Sequence, residues 1–174
     1  RGTCRKYFRL IMDLKRRNKH FAAIDFWSWL IPVTYLIHIV EEYWGGEGYS
    51  AYILRVRGVH FSSARFLVVQ CLGAMMMAGG VILARRFNFP HLMVIIMASI
   101  VLVNGLTHTL TSISNGGYGP GLFSSLLIWM PLGIFLLVHF KKKVSRKRYL
   151  LGIAIGVVVN VLVALVTMRG ARLV

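Results

Sequence analysis

The 174-residue chain has five acidic residues, Asp13, Asp25, Glu41, Glu42 and Glu47, and two of them stand side by side three and four positions after His38. Helix positions three and four apart share a face, so one imidazole can lie beside both carboxylates. Asn104 and His108 repeat the i, i+4 spacing in a later segment. These residue types support two chemistries. In the first, His38, Glu41 and His108 offer two imidazoles and a carboxylate to a divalent metal, zinc or iron, with a further position left for water. Glu42 then acts as general base toward that water, and Asn104 orients a ligand or polarises a carbonyl. A two-metal version would use both glutamates, since helical bundles pair Glu and His at this spacing. In the second chemistry no metal takes part, and His38 and one glutamate exchange a proton with a buried lipid-like substrate.

The elements that must position these groups are membrane helices. Hydrophobic residues make up 57% of the chain and charged residues 15%, whereas a soluble domain is roughly half apolar. The apolar residues form long runs rather than one amphipathic stripe, and each run is near the ~20 residues needed to cross ~30 Å of hydrocarbon. Five spans are predicted, at about 22–44, 65–87, 91–113, 120–140 and 149–168. The expected fold is an all-α integral membrane bundle, with a basic segment over 1–20 and one transmembrane domain over 21–174.

A formal net charge of +16 would suit nucleic acid if the basic residues shared one soluble face. They lie between the spans instead. Eight fall within 1–19, Arg85 and Arg86 follow, and six fall within 141–148, against Arg55, Arg57, Arg65, Arg169 and Arg172 on the alternate side. The positive-inside rule therefore predicts a cytoplasmic N-terminus, in a multi-pass protein of a plasma membrane or endomembrane. Anionic lipid headgroups, not nucleic acid, are the expected partners of the basic segments. Tyr7, Phe8, Leu10, Ile11 and Leu14 predict an interfacial amphipathic helix at the start. Cys4 and Cys71 fall in different environments and imply no disulfide framework.

That topology makes the chemistry converge. At ~1.5 Å per residue, His38 and His108 both lie roughly 8–9 Å below the outer ends of their helices. Gln70, Ser124, Ser125 and Asn160 also fall in outer halves, while the inner half offers little beyond Asp25 and Thr34. Ionisable residues inside spans usually face the bundle interior and mark function, so a polar chamber opening outward is predicted. The connection 45–64 is apolar enough to lie in the interface or to dip back as a short helix, as a lid over the first span. Met75, Met76 and Met77 read as core filler, and Pro131 should bend or open the fourth span.

His38-Ile-Val-Glu41-Glu42, followed by Asn104-Gly-Leu-Thr-His108 and Tyr118-Gly-Pro-Gly121, resembles the HXXEE family of small multi-span proteins over about residues 25–140. The resemblance implies a membrane protein of uncharacterised function with an enzymatic character, and it adds Tyr118 to Glu42 and Asn104 as candidate catalytic residues. Intramembrane CAAX-type prenyl proteases also carry paired glutamates. Here, however, Gly46 replaces the arginine expected after the pair, and His91 lies a membrane thickness from Glu41. Two further readings fit the same residues: a non-enzymatic carrier or sensor that binds a proton or metal, and a structural component in which Glu41 and Glu42 are solvated and His108 joins helices.

Overall fold

The computed structural model describes residues 24 and 26–170, with side chains to residue 167. The predicted N-terminal amphipathic helix, Cys4 and Asp25 lie outside the described residues. Every described regular element is helical. Helix α1 covers 26–44, and α2 (Gly48–Arg57), α3 (Ser63–Arg86) and α4 (Pro90–Ser114) follow. Helix α5 runs over Leu122–Lys143 and α6 over Arg146–Gly170. Four of these, α3 to α6, are long and apolar enough to cross a membrane. Their outward faces carry large apolar side chains such as Leu127, 73% exposed, and Ile113, 71% exposed. Such continuous exposed apolar surface belongs against lipid, and helices satisfy their backbone hydrogen bonds internally, as hydrocarbon requires.

Local sequence sets the ends of these helices. Ser62 caps α3 by accepting a hydrogen bond from the Arg65 amide at 3.3 Å. Asn88 takes a left-handed φ of 61° in the turn before α4, and Pro90 occupies the first helical position, where its missing N–H costs nothing. The connection 45–64 does fold back. Tyr52, Ile53, Phe61 and Phe66 bury together, and Ile39 of α1 packs against that group as well as against the main core.

Helix α4 is the centre of the bundle, with buried residues spaced along it from Val94 to Ser112. It touches α3, α5 and α6. Small residues make the close approaches. A Cβ on Gly133 of α5 would lie 3.0 Å from the Ala98 carbonyl oxygen, and one on Gly156 of α6 would lie 2.6 Å from both the Ile96 carbonyl oxygen and Ser99 Cβ. Lipid is as apolar as a leucine side chain, so spans associate through such close packing rather than through a hydrophobic drive. Asn160, the polar residue expected in the fifth span, donates its amide to the Ile100 carbonyl of α4 at 3.4 Å. It therefore joins helices and does not enter the polar chamber.

Gly156→Ile should force α6 off α4 and cost about 1–3 kcal/mol, the range for overpacking. Unfolding in detergent micelles, followed by tryptophan fluorescence, measures it. A wild-type midpoint in the variant contradicts the close approach.

Candidate metal centre

Helix α1 supplies most of the site because Tyr35, His38 and Glu42 recur on one face at helical spacing. His38 is 1% exposed and Glu42 4% exposed. His108 reaches them from α4, and its ring centroid lies 4.9 Å from that of His38. The two imidazoles predicted to share a depth do meet. Glu42 Oε1 sits 3.3 Å from His108 Nε2 and 3.7 Å from His38 Nε2. One ligand atom from each of the three residues lies within 4.8 Å of the other two.

The surrounding hydrogen bonds suit one tautomer on both rings. With the Ser124 hydroxyl donating to the Gly121 carbonyl, 3.3 Å away, its oxygen accepts from His38 Nδ1 at 2.7 Å. His38 Nε2 is then a lone pair, and this buried atom has no hydrogen-bond partner among the described residues. On His108, Nε2 is turned toward Glu42, which leaves Nδ1 for the backbone hydrogen bond with Pro120; with the carbonyl accepting there, Nε2 again presents a lone pair. Glu42 Oε2 accepts from Gln70 Nε2, and the Gln70 carbonyl accepts from the Tyr35 hydroxyl. Three acceptor atoms thus converge on one point, and each is anchored from behind by a different element.

The expected ligand set used Glu41, but Glu41 lies elsewhere. It accepts from the Tyr118 hydroxyl at 3.0 Å, the Phe123 amide at 2.8 Å and the Ser124 amide at 2.6 Å. Both glutamates share a face with His38, yet one residue of rotation, about 100°, sends Glu41 to the N-terminus of α5, where free amides and the helix dipole favour a carboxylate. Glu42, expected as the general base, occupies the place between the imidazoles. Tyr118 contacts Glu41 rather than the cluster. Burial, then the Glu41 carboxylate, push its phenol up to about 12, so it stays a donor. Asn104 is half-buried one turn before His108, and among the described residues no hydrogen bond joins it to His38, Glu42 or His108.

Two features of α5 and its preceding loop close the site. Gly121 has φ +87°, and a Cβ there would lie 2.8 Å from His38 Cε1 and 3.0 Å from His108 Cε1. Only glycine permits both the backbone and the approach. In α5, Ser125–Trp129 forms a π-helical turn, just ahead of Pro131, whose ring disfavours a regular turn at residue 127. On an α-helix Ser124 and Trp129 would point about 140° apart; the wider turn, closed by i→i+5 bonds, rotates them toward one face. Ser124 then bonds His38 while the Trp129 ring stacks on it at 3.7 Å.

Gln70 and Ser124 were legible as polar residues at the right depth, but Tyr35 and Trp129 were not singled out. Tyr35 had a usable mark, its place seven residues before Glu42 on the same helical face. Trp129 had none, because a tryptophan in an apolar span reads as core.

Glu41→Ala strips the acceptor from two backbone amides and should cost about 1.5–3 kcal/mol, the range for hydrogen bonds to a charged group, with Glu41→Gln recovering part. Denaturant titration in micelles tests this, and an unchanged midpoint in Glu41→Ala contradicts the tether. Among known proteins, no curated protein and no solved structure matches this chain. A family described as "Protein of unknown function with HXXEE motif" matches residues 29–136, a stretch that runs from α1 through most of α5 and contains every residue of the cluster. The chain belongs to that HXXEE family.

Proposed function

We propose that the chain is a metal-dependent membrane enzyme acting on a lipid or lipid-embedded group, with His38, Glu42 and His108 as the ligands of a divalent cation, zinc or iron. One observation carries this reading. Two imidazole lone pairs and a carboxylate oxygen face one another without a proton donor between them, 3.3 Å and 3.7 Å apart across Glu42. Ligand atoms on a tetrahedral ion, at bond lengths of about 2.0–2.1 Å, sit about 3.3–3.4 Å apart; the His108 contact has that separation and the His38 contact is slightly longer. Two histidines and one carboxylate also form a donor set suited to catalytic zinc or to non-haem iron.

When bound, the cation supplies Lewis acidity toward a carbonyl or phosphoryl oxygen and a lowered pKa for water. The protein supplies the surroundings. Ser124 and Pro120 hold both rings in the ligating tautomer, Gln70 holds the carboxylate, and Trp129 covers one ring face and excludes water. His108, with 15% of its side chain exposed, is the open side of the cluster. Asn104, on the same helical face as His108, would orient a substrate that enters there. Glu42 as a ligand leaves the base role to another group, because three donors already occupy Glu41. The reading also takes α1 as a fifth span with a cytoplasmic N-terminus, supported by the basic residues at 141–148 and at Arg85 and Arg86, which put the cluster toward the opposite side.

Elemental mass spectrometry on detergent-purified, metal-loaded protein tests the assignment. Near-stoichiometric zinc or iron is expected in the wild type and in Glu41→Gln, with loss in His38→Ala, Glu42→Ala and His108→Ala variants that retain the wild-type elution volume. A folded wild type that takes up no metal overturns the metal reading and leaves proton exchange among the three groups. Equal metal in Glu42→Ala and wild type overturns the ligand set.

A further inference from the structure

We propose that Gln70, locked by Tyr35, is a positioning residue that withholds Glu42 Oε2 from the cation, so that Glu42 ligates through Oε1 alone and a coordination position stays open for water or a substrate oxygen. This rests on reading the cluster as a metal centre.

A carboxylate can bind a cation through one oxygen or two, and nothing in its own chemistry fixes the choice. Here the two oxygens are treated differently. Oε1 faces both imidazoles, whereas Oε2 accepts from the Gln70 amide nitrogen. For a glutamine this is a matter of orientation, since a flipped amide would turn its carbonyl toward the carboxylate and repel it. The Glu42 carboxylate, which only accepts, selects the amino group, and the Tyr35 hydroxyl completes the arrangement by donating to the Gln70 carbonyl on the other side.

Tyr35 is itself held rigidly. It is 9% exposed, and its ring lies parallel to that of Trp129 at 6.0 Å, the same indole that stacks on His38 at 3.7 Å. The space for its hydroxyl comes from Gly73, one turn after Gln70 on α3. A Cβ at Gly73 would lie 2.5 Å from the Tyr35 hydroxyl oxygen and 3.2 Å from Cζ. The circuit from Glu42 through Gln70, Tyr35 and Trp129 to His38 therefore ties the carboxylate and one imidazole to a shared frame. An outer partner of this kind fixes ligand geometry, and its removal commonly lowers metal affinity 10–100-fold.

The test is titration of detergent-purified protein with cobalt(II), whose visible spectrum reports coordination number. Wild type, Gln70→Leu, Tyr35→Phe and Gly73→Ala are compared after each is checked for a wild-type elution volume and melting transition. Gln70→Leu should bind cobalt about 10–100-fold more weakly. Its saturated spectrum should be weaker and shifted, as Oε2 joins the first oxygen on the ion. Tyr35→Phe and Gly73→Ala, which leave the amide in place but free it, should move the spectrum in the same direction, and they carry the test if Gln70→Leu does not fold. Wild-type affinity and an unshifted spectrum in all folded variants overturn the role of Gln70 while leaving the metal centre intact. Absence of any cobalt spectrum in folded wild type overturns both.

Discussion

Glu42, a carboxylate 4% exposed among membrane helices, is the constraint on which the rest of the site depends. Removing such a group from water costs several kcal/mol unless opposite charge or hydrogen bonds compensate. Only one of its oxygens meets that need within the protein: Gln70 donates to Oε2, whereas the Nε2 lone pairs of His38 and His108 face Oε1, which on the proposed reading a cation would compensate. Those rings are fixed by acceptors on the 118–125 segment, which exists at that position because Glu41 ties the start of α5 to α1. The adjacent glutamates thus have divided places: one sits between the two imidazoles and its neighbour fastens the segment that closes over them.

The helical bundle follows from the same physics at a larger scale. Association in lipid relies on close packing, and α4 achieves it on two sides, through Gly133 of α5 and through Gly152 and Gly156 of α6. Gly105 lies against Ser125 of the π-helical turn of α5. The turn in turn brings Ser124 to the edge of the His38 ring and Trp129 to its face. A local irregularity that accommodates Pro131 is what lets one helix contribute both a hydrogen bond and a stacking surface to the same imidazole.

Much of this was readable before any coordinates. Long apolar runs located the helices to within a few residues, and span length together with the distance of each histidine from its helix end placed His38 beside His108. The division between Glu41 and Glu42 was not readable, because i+3 and i+4 both lie near His38 on a helical wheel. It was decided by where the N-terminal amides of α5 lie, some 80 residues away in the chain. The Gln70 to Tyr35 link is hidden for a similar reason, since a tyrosine hydroxyl inside an apolar helix carries no local sign of its partner. Tyr118, marked in the sequence only by its shared motif, stands one contact removed from the cluster, on Glu41.

The most direct measurement of the central claim is anomalous X-ray diffraction at the absorption edge of the loaded metal, from crystals grown in lipidic mesophase. The account predicts one anomalous peak per chain, about 2.0–2.2 Å from His38 Nε2, His108 Nε2 and Glu42 Oε1, with Glu41 still on the α5 amides. A peak on Glu41, or strong anomalous density elsewhere with none among these three atoms, would contradict it.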